Sequence, residues 1–164
     1  MKLIPSETIE IKSSLSIDQI RELLAHNIEP KMKFKFSKNH KIFEGFIEQD
    51  TFEIQRIIRG RNSFKPYIKG DIKSHNNGTL LSASLKMNHF VITFILIWLG
   101  MVCFGFFVSI YAVLRQDLNP IAAFGPLIMI VFAYGLMNYG FDSEKKKGIE
   151  ALETLLKGKA NRKS

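Results

Sequence analysis

The chain has one cysteine, one tryptophan and five prolines in 164 residues, and it lacks every common catalytic signature. With Cys103 alone no intrachain disulfide can form, so nothing argues for an oxidising compartment. Cys103 lies in an apolar run, where a small filler against lipid or a neighbouring helix accounts for it. His26, His40, His75 and His89 are scattered without metal-site spacing, so no metal site and no cofactor is expected. There is no Walker loop, no glycine-rich dinucleotide fingerprint, no HExxH and no GxSxG. Glu44 with Glu48, and Asp50 with Glu53, sit beside a turn, where solvated acids are a simpler explanation than acid–base work. No catalytic residue is therefore expected, and the chain reads as a non-enzyme. The segment Met1–Glu7 has no continuous apolar core before Pro5, so it is not expected to act as a signal peptide.

Charge is also missing, but only locally. Residues 90–114 contain no charged side chain, and neither do residues 120–141. The first 89 residues carry 15 Lys/Arg and 10 Asp/Glu, and the tail from Asp142 onward carries 7 and 4. A bilayer-spanning helix needs about 20 mostly apolar residues. Residues 90–114 supply 25 and residues 121–141 supply 21. Backbone in hydrocarbon must satisfy its own hydrogen bonds, so both runs are predicted helices forming a transmembrane hairpin, residues 90–141. Trp98 falls well inside the first span, whereas Tyr111 and Tyr139 lie near segment ends and suit interfacial anchoring. Pro120 fits the start of the second helix, and Pro126, one turn further in, is placed to kink it. Gly100, Gly105, Gly125, Gly135 and Gly140 would permit close approach of the two helices, with a dimer interface as the other use for them. Neither span holds an ionisable residue, which argues against an ion or proton pathway.

The flanks set the expected orientation. Lys86 and His89 precede the first span and Lys145–Lys147 follow the second, while the connecting loop has only Arg115 as a cation. By the positive-inside rule the protein is a multi-pass protein of the plasma (inner) membrane with both termini cytoplasmic.

The rest reads as an α+β domain over residues 1–89, with an antiparallel sheet and one N-terminal helix. Residues 6–13 alternate as a strand. Ser16 and Gln19 make a capping-box pattern before the apolar stripe Ile17, Ile20, Leu23 and Leu24. Strands are predicted at 42–49, 52–59 and 67–74, with a fifth after the Asn76-Asn77-Gly78 turn signal. Residues 142–164 are predicted as a C-terminal amphipathic helix, capped by Asp142-Ser143, and a basic tail. Its stripe of Ile149, Leu152, Leu155 and Leu156 suits packing on the sheet or lying in the headgroup region.

The formal charge of +8 gathers in two places. Lys31, Lys33 and Lys35 alternate with Met32, Phe34 and Phe36, and Arg56, Arg59 and Arg61 cluster before Asn62. These six are the candidate contacts for anionic lipid or phosphate, because the inner leaflet is the nearest polyanion to a domain tethered there. The competing explanation is a solvated loop and a strand edge protected from aggregation by charge. Asn62-Ser63 with Pro66 reads as a turn setting strand register, or as a phosphate-binding turn beside Arg59 and Arg61. Nucleic acid is not an expected partner; membrane lipid is, with a second copy or another membrane protein as further candidates.

The strings Phe43-Glu44-Gly45-Phe46-Ile47, Phe52–Ile58, Arg61-Asn62-Ser63-Phe64-Lys65-Pro66 and Ile68-Lys69-Gly70-Asp71-Ile72 resemble an uncharacterised family of small bacterial membrane proteins. In that family a short β-rich domain precedes a two-helix transmembrane hairpin. The resemblance covers about residues 1–100; it implies this architecture and no activity. A fainter similarity is to helix-grip domains, which run strand, helix, antiparallel strands, final helix. That similarity implies the alternative function, a pocket holding a small apolar ligand or lipid. The leading expectation is a non-enzymatic, membrane-tethered cytoplasmic binding or sensing domain that contacts anionic lipid or a protein partner.

Overall fold

The computed structural model describes residues 4–31, 40–58, 60–76 and 78–163. Seven strands form one sheet: β1 (Ser6–Ser13), β2 (Ile28–Glu29), β3 (Phe43–Glu48), β4 (Thr51–Arg56), β5 (Tyr67–His75), β6 (Gly78–Lys86) and β7 (Lys159–Lys163). Three helices accompany them: α1 (Ile17–Asn27), α2 (His89–Leu114) and α3 (Phe124–Leu156), the last preceded by a 3-10 turn, Pro120–Ala123. The strand order is β2-β3-β4-β5-β6-β1-β7, and every pairing is antiparallel except β2 with β3. The α+β class and the mainly antiparallel sheet match the sequence expectation.

Period-two alternation explains the one-sided core. In β6, Thr79, Leu81, Ala83 and Leu85 are buried, while the residues between them are half-buried. Opposite them, Ile9 and Ile11 of β1 and Ile68 and Ile72 of β5 point the same way. An antiparallel sheet with one covered face needs helices on that face. Helix α1 supplies Ile20 and Leu24, and α3 supplies Phe141, Ile149, Leu152 and Leu156. Burying each such Leu or Ile contributes about 1.5–3 kcal/mol.

The capping box forms as predicted: the Ser16 hydroxyl accepts from the Gln19 N–H at 3.3 Å and the Gln19 side chain accepts from the Ser16 N–H at 3.0 Å. Strand β3 lacks the end residues of the predicted 42–49, Gln49 turning at φ 48°, and β4 runs from Thr51 to Arg56 rather than over 52–59. Two strands were not predicted. The two-residue β2 is too short to show a pattern. Strand β7 comes from the expected basic tail and pairs along the outer edge of β1.

No separate final helix exists. Helix α3 runs through Asp142 and Ser143 without a break, so those residues cap nothing. Asp142 instead accepts from Lys145 Nζ at 2.6 Å, one turn on. The 33-residue rod is about 50 Å long at 1.5 Å per residue. Its buried positions Met137, Phe141, Glu144, Gly148, Ile149, Leu152 and Leu156 follow a helical stripe, so its second half packs on the sheet. The buried Ser13 hydroxyl donates to the Leu156 carbonyl at 2.6 Å and satisfies one acceptor left open at the helix end. Lys157 then takes a left-handed conformation at φ 50°. At Gly158, which follows, a Cβ would collide with the Lys12 carbonyl oxygen.

Helices α2 and the first part of α3 form an apolar hairpin standing off the end of the sheet, and both are long and apolar enough to cross a membrane. Pro126 falls in the first turn of α3, where no intrahelical donor is missed, rather than at a position that would kink it. The hairpin glycines also differ from expectation. A Cβ at Gly100, Gly105, Gly125 or Gly135 would meet nothing within 4 Å, so these four do not serve packing between α2 and α3. Gly140 alone in the hairpin is crowded, and its neighbours belong to the sheet domain.

Candidate functional site

The segment after β4 turns from the sheet to α3. Asn62 organises it. Its Oδ1 accepts from the Phe64 N–H at 2.9 Å, closing a local turn, and its Nδ2 donates to the Gly140 carbonyl at 2.9 Å. Phe64 stacks over Gly140 so closely that a Cβ there would sit 2.8 Å from the ring. The predicted turn is therefore present, and it docks against the helix at the level where charge resumes on α3, at Asp142.

This docking shapes a cleft of about 480 Å³ lined by Arg56, Ile57, Ile58, Arg61, Asn62, Glu144 and Lys147. Arg56 donates through Nε at 3.1 Å and Nη2 at 2.6 Å to one oxygen of Glu144. Lys147 donates to the other oxygen at 3.0 Å. Burial works to raise the Glu144 carboxyl, but hydrogen bonds and charge from Arg56 and Lys147 outweigh it and hold the group below its ordinary range. Two cations thus engage one carboxylate, and a third, Arg61, is exposed at the rim.

A matching clamp lies toward the other side of the sheet. Lys145 Nζ bridges Asp142 at 2.6 Å and Glu7 of β1 at 2.8 Å. Burial lowers the Lys145 ammonium, yet its two carboxylate partners prevail and raise it. Consecutive residues of α3, Glu144 and Lys145, therefore tie the rod to β4 and to β1.

Of the six sequence candidates, three lie among the described residues, and they fall in two places. Arg56 and Arg61 line the cleft together. Lys31 lines a different depression, donating to the Tyr67 hydroxyl at 2.7 Å with its ammonium 4.3 Å from that ring's centre. Lys33, Lys35 and Arg59 lie outside the described residues. Sequence reasoning weighed Asn62 only as part of a turn and missed Lys147 and Glu144 as site residues; Lys147 registered only as a flanking charge, although it falls one turn after Glu144.

Among the described residues, no group of three His, Cys, Asp or Glu side chains is placed to hold a metal ion. Among the described residues, the cleft holds hydrogen-bond donors and positive charge, and its one acid, Glu144, is engaged by two cations. What such a site can do is bind an anion. A separate apolar pocket lies between α2 and α3. No protein-family model matches the chain, and neither does any curated protein or solved structure.

Proposed function

We propose that this protein is an integral protein of the plasma membrane, anchored by the hairpin of α2 and α3 with both termini cytoplasmic, and that its sheet domain is a non-enzymatic module binding anionic lipid headgroups at the inner leaflet. One observation carries the reading: the Asn62–Gly140 hydrogen bond holds the Arg56, Arg61 and Lys147 cleft beside the last uncharged turn of α3. That is the depth at which headgroup phosphates would lie if the hairpin crosses the bilayer. Most large apolar side chains of both helices are exposed, among them Phe90, Phe94, Phe104, Phe107, Ile128 and Phe132. Apolar surface of that extent is rarely left facing water. Helix α2 is about 39 Å long, enough for a hydrocarbon core of about 30 Å.

The alternative, a small apolar ligand held between sheet and final helix, has less support. That interior is filled by Ile9, Ile54, Ile68, Leu81, Leu85 and Leu152, each at most 1% exposed.

The test uses the full chain in nanodiscs containing phosphatidylcholine and phosphatidylglycerol. The protein should enrich phosphatidylglycerol in a salt-sensitive way. Replacing Arg61 and Lys147 by Gln should remove about 2 kcal/mol of that preference at low salt, about 1 kcal/mol per basic residue. Equal enrichment by the double variant would reject the cleft as the lipid contact.

A further inference from the structure

The apolar pocket between α2 and α3 has a volume of about 270 Å³. It sits at the sheet-proximal end of the hairpin. Met87 and Met137, both buried in the domain core, are among its lining, and Ile95, Trp98, Ala133 and Tyr134 of the two helices also face it. Every residue around it is apolar or aromatic. A space lined this way favours a carbon-rich guest, and an enclosed apolar cavity of about 150 Å³ already admits a benzene-sized one. Flexible methionine thioethers suit an occupant with many conformers.

Met87 also borders a second basin of about 410 Å³ that includes Lys86, His89 and the Lys69–Glu53 ion pair, 2.8 Å across. A carbon-lined pocket and a basin carrying Lys86 thus share one lining residue. That combination fits an amphiphile with an anionic head better than it fits a wholly apolar molecule. It also fits a lipid better than a partner helix, because on α2 the pocket spans only Ile92 to Leu99 and does not run the length of the helix.

We propose that this pocket holds one acyl chain of a resident anionic phospholipid, with the lipid phosphate against Lys86 and His89. The proposal rests on the membrane reading of the hairpin but not on the Arg61 and Lys147 cleft. It assigns a discrete lipid site where the chain enters α2, with no lining residue in common with the cleft.

The full chain, reconstituted in phosphatidylcholine vesicles containing phosphatidylglycerol and then extracted in mild detergent, should retain one phosphatidylglycerol by native mass spectrometry. Ala133→Phe fills the pocket and should lower that occupancy on the order of tenfold. Lys86→Gln with His89→Gln should abolish the preference for phosphatidylglycerol over phosphatidylcholine. Arg61→Gln with Lys147→Gln should leave the retained lipid in place. Trp98, the single tryptophan, gives a second readout in the unaltered protein. Its fluorescence should be quenched by phosphatidylglycerol brominated on its acyl chain at a lower mole fraction than by brominated phosphatidylcholine. Quenching that simply follows the total brominated fraction, or no retained lipid in an inserted protein, overturns the proposal. Loss of the retained lipid in the Arg61 and Lys147 variant, with Ala133→Phe unaffected, overturns it too and assigns the lipid to the cleft. A chain that fails to insert into vesicles at all defeats the membrane reading beneath both.

Discussion

Arg56 at the end of β4 and Glu144 in the middle of α3 are joined by two hydrogen bonds, at 2.6 and 3.1 Å, across 88 residues of sequence. Among the described residues, Glu144 is one of two buried charged residues, with a side chain 9% exposed. The bond ties the sheet to a helix that continues without interruption into the apolar hairpin. Any tilt of the hairpin's second helix is therefore a tilt of a rod clamped to the sheet.

Removing either partner should be costly, because the other loses both of the pair's hydrogen bonds to its charge. Arg56→Ala is expected to cost about 2 kcal/mol, the scale of hydrogen bonds to charged groups. A double-mutant cycle with Glu144→Ala, read by thermal unfolding of the purified protein, should return a coupling of about 1–2 kcal/mol. Additive losses would mean that the pair contributes nothing jointly.

The same pair predicts a pH dependence. The folded Glu144 carboxyl lies below its ordinary value of 4.5. A depressed carboxylate adds stability that is fully present above the unfolded value and is lost as pH falls through the folded one. Glu144→Gln should therefore lower the melting temperature most near neutral pH. The gap to the unaltered protein should narrow below about pH 4.5, toward the lower folded value. A gap constant from pH 7 to pH 3 would mean that the charge of Glu144 is not what stabilises the contact.

Local patterns made much of the domain legible. Alternation located β1, β5 and β6, and the Ser16 and Gln19 pair located the start of α1, because those signals live within a few residues. What escaped depended on distant partners. The Lys159–Lys163 strand has no apolar alternation; it pairs because β1 has an open edge and Gly158 lets the chain turn back close to Lys12. Asp142-Ser143 reads as a cap in isolation, but nothing there breaks a helix, and packing of Phe141, Ile149 and Leu152 carries α3 straight through. The cations Arg56 and Arg61 were visible, whereas the acid that engages Arg56 was not, since no local spacing links β4 to α3. The glycines misled for the same reason: only contacts could distinguish Gly140 from the other four.

That distinction is itself testable. A Cβ at Gly140 would lie 2.8 Å from the Phe64 ring and 3.2 Å from both Phe64 Cβ and Asn62 Oδ1. Phe64 cannot yield by a simple end rotation when its own Cβ is crowded. Gly140→Ala should cost about 1–3 kcal/mol, the range for overpacking, and should raise hydrogen–deuterium exchange at residues 60–66. Alanine at Gly100, Gly105, Gly125 or Gly135 should change the melting temperature little. If one of these four substitutions instead abolished crosslinking between copies of the chain, that glycine would be assigned to a contact between molecules.

The proposed orientation rests on the charges that bracket the hairpin. On the sheet side, Lys86, His89, Lys145, Lys146 and Lys147 lie close to the ends of the apolar helices, whereas the connection between them offers Arg115, balanced by Asp117. Arg115 is further occupied, since its Nε donates to the Tyr111 hydroxyl at 3.0 Å. Cations hold their side of the membrane because moving them across costs free energy during insertion, and acidic residues contribute little to this bias. Reporter fusions at Ser164 and at Asn119 separate the outcomes. The Ser164 fusion should report the cytoplasm and the Asn119 fusion the exterior. Moving the excess by replacing Lys145, Lys146 and Lys147 with Gln and adding lysines beside Asn119 should populate the inverted form. A cytoplasmic signal from Asn119 in the unaltered chain would place the sheet outside and remove the anionic inner leaflet as the partner of the Arg56 and Arg61 cleft.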